Sequence, residues 1–194
     1  MSKANKVQGY KEIVSTANQI LQGEIDLLQG DRSILQLAAN LDCLEDAALV
    51  RLRGFVSEFD DVPSEETRNN FGKDYLSEVD KNLQSYLDKN KNSLLSLHKE
   101  IINIYQQQID QFESSLISKL VKHDPIKVYF NDLEKKYSYE NEIKLIQDQL
   151  PHCNSEEQVS DRLRHIFIDM YGEVPKEKKG IFDKLAKDIW TLLN

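Results

Sequence analysis

The chain has little that would bend or cross-link it: 7 Gly, 4 Pro and 2 Cys in 194 residues. So few turn-formers exclude an all-β sandwich or barrel, which needs a turn signal about every 8 to 12 residues. The two thiols, Cys43 and Cys153, cannot build a disulfide-dense scaffold, and we expect them to be reduced. No apolar run approaches the roughly 18 residues of a membrane span. The opening stretch MSKANKVQGYKE lacks the apolar segment of a signal peptide. The expectation is a soluble, cytoplasmic protein with no membrane partner. Apolar mass is plentiful: Leu, Ile, Val and Phe account for 57 residues, enough to offset the ordering entropy of a folded core.

The formal charge of -8 is unevenly distributed. Between Asp42 and Glu66 stand eight acids, Asp42, Glu45, Asp46, Glu58, Asp60, Asp61, Glu65 and Glu66, against Arg51 and Arg53. Almost all of the excess therefore sits in one short stretch. Such a patch concentrates basic partners and disfavours nucleic acid, whose binding needs phosphates neutralised by Lys and Arg. It also fits a solvated surface with acids near helix N-termini.

Apolar residues recur at three and four from Tyr10 to Leu41, through Ile13, Val14, Ala17, Ile20, Leu21, Leu27, Leu28, Ile34, Leu35 and Ala38. This spacing predicts amphipathic helix, divided or bent near Gly23 or Gly30. The period repeats from Leu44 to Phe59 and is broken by Asp60-Asp61-Val62-Pro63-Ser64. Ser64 before Glu65 and Glu66 reads as an N-cap with acids in the first turn. Phe71, Tyr75, Val79, Leu83, Tyr86 and Leu87 mark a further helix, and a longer one follows from about Asn92 to Lys122. The stripe of that longer helix, Leu95, His98, Ile102, Tyr105, Ile109, Phe112 and Leu116, alternates three and four. Flanking Leu94, Ile101, Ile104, Ile117 and Leu120 widen it to a bundle face.

Two shorter helices, about Pro125 to Tyr137 and Glu140 to Leu150, are expected next. Then comes a break at Pro151 to Asn154 and a capping box, Ser155-Glu156-Glu157-Gln158. The helix it opens runs to Gly172, and Pro175 begins a last one. The expectation is an all-α protein, an irregular helical bundle of seven to nine helices with one long central helix. It forms a single helical domain over residues 1–194, with any subdomain break near 124 or 151.

Motifs for chemistry are scarce. No Glu-x-x-His pair, His-Glu-x-x-His, paired Cys-x-x-Cys, glycine-rich phosphate loop or Gly-x-Ser-x-Gly elbow is present. His123-Asp124 looks superficially like the metal-binding doublet of the His-Asp phosphohydrolases, with His98 upstream and Asp148 or Asp169 downstream. Against that, Asp124 has a capping role before Pro125, and His98 falls on an apolar stripe. The basic residues Arg162, Arg164, Lys176, Lys178, Lys179, Lys184 and Lys187 are interleaved with acids and read as helix-surface pairs. We therefore expect no catalytic residue, no metal and no cofactor.

The first half, about Tyr10 to Ile102, resembles a family of small bacterial helical proteins of unknown activity, some of them encoded at toxin-immunity loci. The resemblance is carried by Ile13-Val14, Ala17, Ile20-Leu21-Gln22-Gly23-Glu24-Ile25, Gly30 and the stretch Phe55-Val56-Ser57-Glu58-Phe59-Asp60-Asp61-Val62-Pro63. Phe71 stands where the family has an aromatic after the Pro loop. The family's Cys in the later helix has no counterpart, nor has anything beyond Lys122. The resemblance implies binding rather than catalysis, and it coincides with the acidic patch. The expected function is an immunity-type protein that neutralises a cognate basic toxin, such as a nuclease. Glu58, Asp60, Asp61, Glu65 and Glu66 would pair with its Lys and Arg, and Phe55 or Phe59 would anchor the contact. A metal-dependent phosphohydrolase and a self-associating helical scaffold are the alternatives.

Overall fold

A computed structural model of the chain describes residues 2–63, 67–125, 139–172 and 179–194. The protein is all-α. The described residues form α1 (Lys3–Gln22), α2 (Leu27–Asn40), α3 (Ala47–Ser57), α4 (Lys73–His123), α5 (Glu140–Gln149), α6 (Glu156–Tyr171) and α7 (Lys179–Leu193), with no strand among them. The chain divides into two compact units, Gly9–Gln106 and a second made of Met1–Gln8 with Gln107–Asn194. The division falls inside α1 and α4, not near 124 or 151.

In the Gly9–Gln106 unit, the end of α1 is set by Gly23. Its φ of +72° is open to glycine without a Cβ penalty. The Gly23 N–H donates to the Ile20 carbonyl at 3.1 Å and the Glu24 N–H to the Gln19 carbonyl at 2.9 Å. This is the double closure of a Schellman cap. Gly30 plays a different part from the one its spacing suggested. It lies inside α2 and is buried, and a Cβ there would come within 2.6 Å of the Ile20 side chain. Its small size lets α2 approach α1. The Asp26 carboxylate opens α2 by accepting the Gln29 N–H at 3.0 Å. Ile13, Ala17, Ile34, Leu49, Leu52, Leu94 and Ile101 are fully or almost fully buried in this unit.

The two helices expected over 71–122 are one helix, α4, running unbroken through the polar stretch Asp88–Asn92. That stretch holds no Gly or Pro, and polar side chains do not interrupt the backbone ladder; Asn90 even returns its side-chain amide to the Tyr86 carbonyl at 2.9 Å. The buried stripe is also displaced from the expected one at its start. Leu94, Leu97, His98, Ile101 and Tyr105 are buried, whereas Leu95 and Ile102 are only half-buried. A straight helix drifts about 20° per heptad against a 3.5-residue seam, so the two registers part over three heptads. Residues 73–93 contain no fully buried residue at all.

In the other unit, Ser155 accepts the Gln158 N–H at 3.2 Å, and the Gln158 side chain accepts the Asn154 N–H at 2.7 Å. This is a capping box shifted by one residue at its return arm. Val159, Leu163, Ile166 and Phe167 of α6 are buried as their period predicts. Phe167 meets Phe182 of α7 edge-on, with ring centres 5.4 Å apart. Gly172, at φ +79°, ends α6. The expected helix over 125–137 and the start at Pro175 lie outside the described residues, apart from Pro125 itself.

Candidate partner-binding face

The turn after α3 is shaped by its two apolar residues. Phe59 is buried against Leu28 and Val56, and half-buried Leu83 and Tyr86 of α4 cover it. Its ring meets Tyr86 edge-on at 4.8 Å. Val62 packs on the same cluster. Arg32 of α2 donates to the Phe59 carbonyl at 2.9 Å and to the Val62 carbonyl at 3.4 Å, bracing the turn across 27 and 30 residues of sequence. With Phe59 and Val62 turned inward, Glu58, Asp60 and Asp61 are left exposed. None of these three carboxylates has a hydrogen bond or ion pair among the described residues.

Phe59 is therefore a core residue here, not an exposed anchor: the apolar cluster beneath the turn claims its ring. Phe55, the other aromatic considered, is half-buried beside a shallow groove lined by Arg51, Ser96 and Glu100. Glu65 and Glu66 lie outside the described residues, as does the Ser64 cap. The remaining acids of the stretch divide. Asp42 is exposed and holds a left-handed φ of +57° at the end of α2. Glu45 stands 3.6 Å from Arg53. Asp46 is drawn inward, its carboxylate accepting the Tyr105 O–H at 2.6 Å. Burial, and then the hydrogen bond to Asp46, push the Tyr105 phenol far above its ordinary range.

Of the residues whose spacing marked a helix, Phe71 lies just before α4 and Tyr75 in its first turn, and they are 43% and 42% exposed. Their rings stack with centres 5.4 Å apart and planes 23° apart. The Tyr75 hydroxyl donates to the Asp61 carbonyl at 3.3 Å. The aromatic pair thus borders the acidic turn.

The residues considered for metal chemistry are engaged elsewhere. Lys122 and His123 both reach Asp188 of α7, at 2.6 and 3.0 Å. Asp124 accepts the Tyr139 hydroxyl at 3.0 Å. A Lys ammonium on the same carboxylate oxygen competes with any cation there. No group of three or more metal-ligating side chains occurs among the described residues. Asp148 and Asp169 are exposed, and Arg164 pairs with Asp161 and Asp183.

The hydrogen bonds from Lys122 and His123 hold Asp188 at about 2, below its ordinary 3.8. A depressed folded-state value contributes stability above pH 3.8 that is lost as the pH falls toward 2. Asp188→Asn is expected to lower the melting temperature near pH 6, with the difference from the unmodified protein shrinking to a small remainder by pH 2. Thermal melts of both proteins across that range check this; a constant difference would contradict it.

The most buried polar pair was not anticipated. His98 and Asp31 are 0% and 1% exposed. His98 Nε2 lies 2.6 Å from Asp31 Oδ1, and Nδ1 lies 2.7 Å from the Leu94 carbonyl. Burial raises the Asp31 carboxyl above its usual value, and the hydrogen bond with His98 opposes that shift. One signal was available: Asp31 falls on the same face as Leu28, Leu35 and Ala38, where an unpartnered carboxylate is costly. Its partner, 67 residues away, is invisible to periodicity.

No family model, curated protein or solved structure matches this chain. No helix among the described residues is long and apolar enough to cross a membrane.

Proposed function

We propose that this chain is an immunity-type protein that binds and neutralises a basic protein toxin, such as a nuclease, through the acidic turn after α3. The observation that carries the reading is the set Glu58, Asp60 and Asp61. They are exposed, without partners among the described residues, and displayed by a turn whose backbone Arg32 braces from within. Carboxylates already engaged by neighbouring Lys or Arg have little attraction left for a partner; these three are not so engaged. A braced turn also loses little freedom on binding, which reduces the entropic opposition to association. Acids so placed steer a cationic partner toward the face and repel the phosphates of nucleic acid. In this reading the acids cover the substrate-binding surface of a nuclease by imitating the charge of its substrate. In this reading the protein acts by binding alone.

The test is affinity purification of the tagged chain from its native host at low and high salt, followed by association kinetics with the captured protein. A stoichiometric basic partner lost at high salt is expected. The combined variant Glu58→Gln, Asp60→Asn, Asp61→Asn should slow association by about tenfold or more, with a smaller change in dissociation. Capture of no basic partner, or an association rate unchanged in the variant, would overturn the reading.

A further inference from the structure

We propose that the stacked Phe71 and Tyr75 rings are the anchor for an arginine side chain of a basic partner protein. The inference rests on the reading above and names the contact it leaves open. Phe71 has extended backbone (φ -113°, ψ 149°) just before α4, and Tyr75 lies in the first turns of that helix. Both residues are more than two-fifths exposed. The hydroxyl of Tyr75 is engaged by the Asp61 carbonyl, so the ring is held beside the acidic turn. Residues 71–75 are all exposed, so the stretch that carries the pair is open to a partner.

Charge selects the occupant. Glu58, Asp60 and Asp61 stand on the turn that Tyr75 touches, and Asp74 adds an acid in the first turn of α4. Lys73 offsets Asp74, and Arg68 is engaged by Asp80. The N-terminus of α4 presents only about half a positive charge and Arg32 adds one on the inner side of the turn; the three turn carboxylates outweigh both together. An aromatic face bordered by carboxylates attracts a cation through the ring quadrupole and through direct pairing. Arginine suits it better than lysine, because a planar guanidinium stacks on a ring while its N–H fork reaches a carboxylate. A nucleic-acid base would also stack on such rings, but its phosphates would meet the acids.

The experiment uses the full chain and two probes, a short oligoarginine peptide and an oligolysine peptide of equal length. Binding is followed through the ring resonances of Phe71 and Tyr75. The oligoarginine is expected to bind at least about threefold more tightly than the oligolysine. The double variant Phe71→Ala, Tyr75→Ala should erase that preference while keeping the salt-sensitive binding common to both peptides. Because both side chains are exposed, the variant should remain folded, which a thermal melt verifies.

Equal binding of the two peptides by the unmodified protein, or an arginine preference that survives the double variant, would overturn the anchor. A double variant that changes only the oligomeric state in sedimentation would also overturn it, because the pair would then join copies of the chain. Failure of the immunity reading looks different: no basic protein is captured from the host, yet the arginine preference and its loss in the variant persist.

Discussion

Replacing Asp31 by alanine is expected to destabilise the protein by about 2–3 kcal/mol, whereas Asp31→Asn should be tolerated far better. The reasoning follows the protons of His98. A carbonyl oxygen can only accept, so the 2.7 Å contact with Leu94 requires a hydrogen on Nδ1. The 2.6 Å contact between Nε2 and Asp31 Oδ1 then needs a second hydrogen, lying between the two atoms. Whether that proton sits on the imidazole or on the carboxyl, the pair is neutral as a unit, which is what a site with 0% and 1% exposure permits.

Alanine leaves Nε2 without a partner in that site, and no compensating group replaces the lost carboxyl. Asparagine can turn its NH2 toward Nε2 and donate to the ring's lone pair, reproducing the geometry without the shared proton. Urea unfolding of the two variants at neutral pH separates these outcomes. A loss below about 1 kcal/mol for Asp31→Ala, the range of an ordinary hydrogen bond, would show that the pair is not the buried link between α2 and α4 described above.

A proline at position 91 is the second large effect expected. Lys91 is exposed and lies well inside α4. Lys91→Pro removes the N–H that bonds back to Leu87 and sets the ring against that carbonyl, a penalty of about 3 kcal/mol or more. The protein can meet it by losing that much global stability. It can also unwind residues 73–90, which hold no fully buried residue, and lose their helical signal. Unwinding would in addition release Tyr75 from Asp61. Circular dichroism with urea unfolding reads both responses, and Lys91→Ala serves as the control with little expected change. Had the chain contained two helices meeting at 88–91, proline would sit near the start of the second and be accepted there. A variant with unchanged stability and unchanged helical signal would therefore contradict the continuous helix.

The sequence alone determined what depends on neighbours a few residues apart. Scarce Gly and Pro with a three-and-four apolar period specify helices, because those features act through a single turn of backbone. The Ser155 cap, the stop at Gly172 and the inward face of α6 were legible for the same reason. So was the exposure of Glu58, Asp60 and Asp61: carboxylates in a short turn stay in water unless a partner compensates them.

Tertiary structure alone decided which breaks were real and which apolar residues found cover. Gly23 ends a helix and Gly30 does not, and the difference is that Gly30 lies where Ile20 of the neighbouring helix presses in. Phe59 is core because Leu28 and Tyr86, distant in sequence, close over it. Phe71 and Tyr75, equally apolar in pattern, stay exposed, stacked on each other and with the Tyr75 hydroxyl on the Asp61 carbonyl. Asp31 and His98 are compatible with burial only as a pair, and Tyr105 takes Asp46 out of the acidic face by the same kind of long-range contact. Periodicity records which side of a helix is apolar; it does not record what that side will meet, and the desolvation of a ring or a carboxylate depends on what it meets.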